Sequence, residues 1–126
     1  RRQRQMCIRD RDTIMHRLRS IVEETGAGLV LVSHLKRLEG NRGHENGADV
    51  GLSHLRGSQS IAQLSDSVIA LVRNQQAEDG REANTTKVKV LKSRYTGDVG
   101  LATHLLYNAE SGRLLEIELE EDGSWL

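Results

Sequence analysis

The 126-residue sequence contains no proline and no phenylalanine, and only two tyrosines and one tryptophan. A core without those rings must be built from Leu, Ile, Val and Ala, and the absence of proline is unusual for a chain with this much loop. The single cysteine, Cys7, excludes a disulfide framework and a cysteine-rich zinc site. No apolar run approaches the roughly 18–20 residues that a bilayer span needs, and no signal-peptide core is evident. The expectation is a soluble, cytoplasmic chain with no membrane partner. What the sequence does have is the apolar content of a globular domain, 37% hydrophobic residues and 12 glycines, at a length that admits one domain or a piece of a larger one and excludes two.

Eighteen Lys and Arg offset eighteen Asp and Glu, but the zero net charge hides a polarity. Seven arginines fall within the first nineteen residues, whereas from Glu110 onward six acidic side chains face Arg113 alone. A basic end suggests a nucleic-acid arm. The opening Arg1-Arg2-Gln3-Arg4-Gln5-Met6-Cys7-Ile8-Arg9-Asp10-Arg11 resembles translated adapter sequence, however. Residues 1–11 are therefore expected to be foreign to the fold, residues 12–118 to form it, and residues 119–126 to be an acidic tail. Without the first eleven residues the balance becomes 13 basic to 17 acidic groups, and Cys7 drops out of any redox argument.

Over residues 13–25 the apolar side chains Ile14, Met15, Leu18, Ile21 and Val22 recur at helical spacing, and Gly26 stands where a helix would stop. Leu29-Val30-Leu31-Val32 follows, too short for a helix and apolar on both faces, as in an interior strand of a parallel sheet. Residues 34–57 are aperiodic and carry five glycines and three histidines, the pattern of a functional or disordered loop. Residues 58–66 read as a short helix and 68–72 as a second buried strand. Residues 75–85 read as a polar loop, and 86–91, 101–107 and 114–118 as strands, the last two joined by a turn at Glu110-Ser111-Gly112. The expected architecture is α/β, mostly parallel with antiparallel edge strands.

Several side chains have positions suited to chemistry. His34 follows directly on the first strand, where open α/β sheets bind ligands, although an ordinary loop histidine fits the position as well. Lys36, Arg37 and Arg42 on the following loop either contact phosphates or stand solvated. Lys92 and Arg94 alternate before a glycine turn, which makes them an anion clamp or simple strand-end charges. His34, His44 and His54 lack metal-ligand spacing, so no metal site is expected. No G-x-x-x-x-G-K-[ST] phosphate cradle and no G-x-S-x-G elbow occurs.

Five segments, Val32-Ser33-His34-Leu35-Lys36, Leu55-Arg56-Gly57-Ser58, Gln63-Leu64-Ser65-Asp66, Arg73-Asn74-Gln75-Gln76 and Leu91-Lys92-Ser93-Arg94-Tyr95-Thr96-Gly97-Asp98, stand in an order and at a spacing that carry a family resemblance. From about Asp12 to Gly112 the chain resembles the C-terminal half of a DnaB-type (superfamily 4) replicative DNA helicase with a RecA-like fold, nearest the phage primase-helicase branch and its mitochondrial relative. The resemblance implies that His34 is a γ-phosphate sensor and that Arg94 is an arginine finger acting in trans, with Lys92 as its companion. It implies that Arg73 and Tyr107 sandwich the nucleotide base, that Lys36, Arg37 and Arg42 follow single-stranded DNA, and that Arg56 and Gln63 couple the two sites. The implied cofactor is ATP or dTTP with Mg2+. The implied partners are single-stranded DNA, further copies in a homo-oligomer, expected to be a hexamer, and the primase and polymerase of a replisome, in a bacterial or phage-infected cell. The family's Walker A and Walker B elements do not occur in these residues, so this polypeptide alone is expected not to hydrolyse ATP. Another RecA-fold ATPase, or a non-catalytic DNA-binding or oligomerisation module, are the alternative readings.

Overall fold

The computed structural model describes residues 2–34, 51–52 and 59–118, with side chains from residue 9 onward. The described residues divide into two compact units, residues 2–34 with 51–52 and 59–66, and residues 67–118.

In the first unit, helix α1 spans Arg2–Thr25, which extends the expected 13–25 helix back through the arginine-rich opening. It ends where glycine can take up a left-handed conformation: Gly26 has φ +67° and donates its N–H to the Val22 carbonyl at 2.9 Å. Helix α2, Gln59–Leu64, docks on α1 through three α1 side chains. Asp12 accepts a 2.7 Å hydrogen bond from the Ser60 hydroxyl, Met15 is buried, and Arg19 donates to the Asp66 carboxylate at 2.9 Å and to the Leu64 carbonyl at 3.5 Å. Positions 12, 15 and 19 fall on one helical stripe, so a single face supplies both the apolar contact and the polar ties that flank it. The bond to Asp66, followed by that to Glu23, raises the Arg19 guanidinium further above its ordinary pKa.

Residues 29–32 do not form the expected interior strand. They pair with no strand among the described residues, and Val30 is 92% exposed. A strand is defined by the neighbours that take up its N–H and C=O groups, and the described residues provide none here.

The second unit holds a four-stranded sheet in the order β1-β2-β3-β4, formed by Ser67–Arg73, Thr85–Ser93, Gly100–Asn108 and Arg113–Ile117. Every pairing is antiparallel, so the parallel arrangement expected for the sheet is not present among the described residues. The run at 68–72 is expected to be a buried strand; among the described residues it is the edge strand β1. Ala70 and Val72 are buried, whereas Leu71 is 66% exposed on the opposite face. The apolar alternate residues make both faces of β1 look buried in sequence, but only one is covered. The expected polar loop at 75–85 contains helix α3, Gly80–Ala83, N-capped by the Asp79 carboxylate, which accepts from the Arg81 N–H at 3.0 Å.

Two turns close the meander. After β2, the Gly97 N–H donates to the Ser93 carbonyl at 2.9 Å, the Ser93 and Thr96 hydroxyls are 2.9 Å apart, and Gly97 has φ +73°. After β3, the Asn108 side chain accepts from the N–H groups of Glu110 and Ser111, both at 3.0 Å.

Two outcomes follow. No heavy atom lies within 4 Å of a Cβ built on Gly97, so Gly97→Ala tests backbone strain alone and should cost about 1 kcal/mol in chemical denaturation; a variant as stable as the parent would show that the turn tolerates a side chain. His104, 7% exposed, has its pKa held below the ordinary value by burial and then by the Lys87 charge, its cross-strand neighbour. Unfolding therefore takes up a proton as pH falls below about 6.5, and stability drops with acidification in that window. His104→Leu should flatten the slope of stability against pH between about 7 and 5, and an unchanged slope would assign it to other groups.

Candidate functional site

The first unit positions His34 and Gln63. His34 is exposed at the end of the irregular segment that follows α1. It lines an open groove of about 310 Å³ together with Arg11, Ile14, Met15, Leu18, Leu31, Val32, Ser33 and Ile61. Apart from Arg11, Ser33 and His34 this lining is aliphatic, so the imidazole is a polar group at the margin of an apolar surface. Gln63 lies exposed on α2. Lys36, Arg37, Arg42 and Arg56 lie outside the described residues.

The second unit carries Arg73, Lys92, Arg94 and Tyr107. Arg73 ends β1 and is paired with Thr86, which is paired in turn with Leu105. Residues paired across antiparallel strands share a face and residues two apart on one strand share a face, so Arg73, Thr86, Leu105 and Tyr107 all stand on the same side of the sheet. The link between Arg73 and Tyr107 is Asn84. Its Oδ1 accepts from the Arg73 Nη2 at 3.0 Å, and its backbone carbonyl accepts from the Tyr107 N–H at 2.9 Å. Arg73 Nε donates to the Ala83 carbonyl as well. The guanidinium is thus held along one edge, which leaves its flat faces, on an exposed residue, free of hydrogen-bonding demands. Tyr107, 40% exposed, stands on the same face two strands away.

Lys92 and Arg94 occupy the other end of β2. Lys92 is half-buried in the strand opposite Val68, and Arg94 is exposed in the turn that Gly97 closes. The two were expected to alternate along one extended segment; instead Arg94 has already left the strand, because the Ser93 carbonyl turns back to bond Gly97. The sheet therefore places Arg73 and Tyr107 on one face near the same end of β2 and sets Arg94 at the other end, about 26 Å along the strand at roughly 3.3 Å per residue.

Asn84 is the residue that sequence reasoning passed over. Its signal was indirect: Asp79 and Glu82 have the spacing of a helix-capping pair, and Asn84 is the first residue after that helix. Among the described residues no group of three or more His, Cys, Asp and Glu side chains is arranged to hold a metal ion. No described helix is long and apolar enough to cross a membrane.

The chain is 45% identical over 103 residues to a protein named DNA helicase/primase from Enterobacteria phage T3, a match that covers 82% of this chain and 18% of the phage protein. The chain thus spans about a fifth of the length of that relative. The family described as DnaB-like helicase C terminal domain matches residues 2–115. With nearly its whole described length inside that match, the chain belongs to the DnaB-like helicase C-terminal domain family.

Proposed function

We propose that this chain is the C-terminal part of a ring-shaped, ATP-dependent replicative DNA helicase, with Arg94 acting on the nucleotide of a neighbouring subunit. The observation that carries the reading, beyond family membership, is the spacing along β2. Arg73 and Tyr107 stand at one end and Arg94 at the other, about 26 Å away along the backbone, so the strand presents two separate contact regions rather than one cluster. That separation suits an arginine acting on the nucleotide of the next subunit, and a head-to-tail contact of that kind closes into a ring when its rotation permits.

In this mechanism Arg73 and Tyr107 take the adenine or thymine base between a cationic plane and an aromatic ring. Arg94 reaches across the interface to the γ-phosphate, where negative charge spreads in the transition state. Supplied in trans, such an arginine is worth about 10³ to 10⁵ in rate, or roughly 4 to 7 kcal/mol, so hydrolysis depends on subunit contact. Lys92 supports it on the same strand. His34 senses the γ-phosphate of its own subunit's nucleotide, and Arg56 and Gln63 couple that state to Lys36, Arg37 and Arg42 on the DNA. The phosphate cradle and the ligands for magnesium would be supplied by other parts of the protein, since the described residues offer magnesium no cluster. The exposed 29–32 segment then takes its place in a parallel sheet with strands of those other parts. Single-stranded DNA, a hexamer of like subunits and a linked primase complete the assembly, in the cytoplasm of a bacterial or phage-infected cell.

In the full-length protein, Arg94→Ala should lower DNA-stimulated ATP hydrolysis by about 10³-fold or more while nucleotide binding is retained; turnover within tenfold of the parent would remove Arg94 from the role. Lys36→Ala should weaken single-strand binding and reduce the slope of log affinity against log salt by about 0.7, the share of one phosphate contact. An unchanged slope would take Lys36 off the DNA.

A further inference from the structure

Arg73 and Tyr107 come from strands that are not neighbours, β1 and β3, and an arginine side chain left to itself samples many rotamers. A base could be gripped only after that side chain had been ordered, at a cost to affinity at every binding event. The structure orders it beforehand. Asn84 accepts from Arg73 Nη2 at 3.0 Å, the adjacent Ala83 carbonyl accepts from Nε, and Asn84 itself is fixed from two other directions. Its N–H donates to the carbonyls of Gly80 at 3.1 Å and Arg81 at 3.3 Å, which ends α3, and its carbonyl receives the Tyr107 N–H at 2.9 Å.

We infer that Asn84 is a positioning residue for base recognition: it holds the edge of the Arg73 guanidinium and the backbone of Tyr107 on one frame, so that the cationic plane and the ring are set for a base before it arrives. The inference rests on the reading of Arg73 and Tyr107 as the base-binding pair. Asn84 makes no contact with the base in this scheme. Its amide oxygen acts through Arg73, and any side chain that keeps an acceptor at that place should serve.

The test uses the full-length protein and two probes, ATP and inorganic tripolyphosphate, which has the phosphates without a base. Asn84→Ala should weaken ATP binding about tenfold, the size of one lost hydrogen bond to a charged group, with kcat near the parent value. Tripolyphosphate affinity should not move. Asn84→Asp, which keeps the acceptor, should restore ATP affinity, and Arg73→Ala added to Asn84→Ala should bring little further loss. Asn84→Ser, which still ends the helix but falls short of Arg73, stands in for the alanine variant if that one does not fold. Equal weakening of ATP and tripolyphosphate would mean a general structural role and overturn the inference. So would unchanged ATP affinity in the Asn84 variants alongside a loss in Arg73→Ala or Tyr107→Ala, and in that case the base-binding pair would stand without Asn84. If Arg73→Ala and Tyr107→Ala both leave ATP affinity unchanged, the pair itself is wrong and the inference falls with it.

Discussion

The backbone ladder of β2 is the constraint from which the second unit takes its order. β2 is hydrogen-bonded to β1 on one side and to β3 on the other, so its register decides which side chains of three strands share a face. A slip of one residue against β3 would carry Tyr107 to the side of the sheet away from Arg73, because side-chain direction alternates at every position. The pairs Val72 with Lys87 and Lys87 with His104 guard against that slip, since they place buried Val72 and His104 on the face opposite Arg73. Burial on one side thereby fixes chemistry on the other.

In the first unit the same economy holds on a smaller scale. α2 has six residues, too few to be stable as a helix in isolation. It persists against a stripe of α1 on which Met15 is buried while Asp12 and Arg19 bond Ser60 and Asp66 on either side of it. The two polar ties are only part-buried, so their service is to fix the angle and register of the contact more than to add stability.

Much of this was legible in the sequence. The alternation of Lys87, Val88, Lys89 and Val90 announces β2, and Gly26, Gly97 and Gly112 mark chain reversals that need a positive φ. The C-terminal meander of β2, β3 and β4 follows the turn signals between them. The direction and burial of strands were less legible. Residues 29–32 and 68–72 are similar apolar runs, yet among the described residues one is unpaired and the other is an antiparallel edge strand. Composition reports how apolar a segment is and carries no record of which partners supply its hydrogen bonds. Helix α3 escaped notice because four residues are too few to display a period, and with it went Asn84, whose bond to Arg73 joins positions eleven residues apart. Of the family-derived positions, Arg73 and Tyr107 share a partner in space that no linear motif records.

A stiff strand gripped at one end and loaded at the other is also a lever. Pairing on both sides stiffens β2, although its ladder is interrupted between Val88 and Lys89, so part of a rotation at its Thr85 end would carry to the turn beyond Ser93. A tilt of about 10° swings the far end of a rod of roughly 26 Å through about 4 to 5 Å, well beyond the few tenths of an ångström over which a hydrogen bond keeps its strength. Under the proposed assignment, occupancy of one nucleotide site would therefore set the reach of Arg94 toward the next, and sequential firing around a ring would need no messenger other than the rigidity of nine residues.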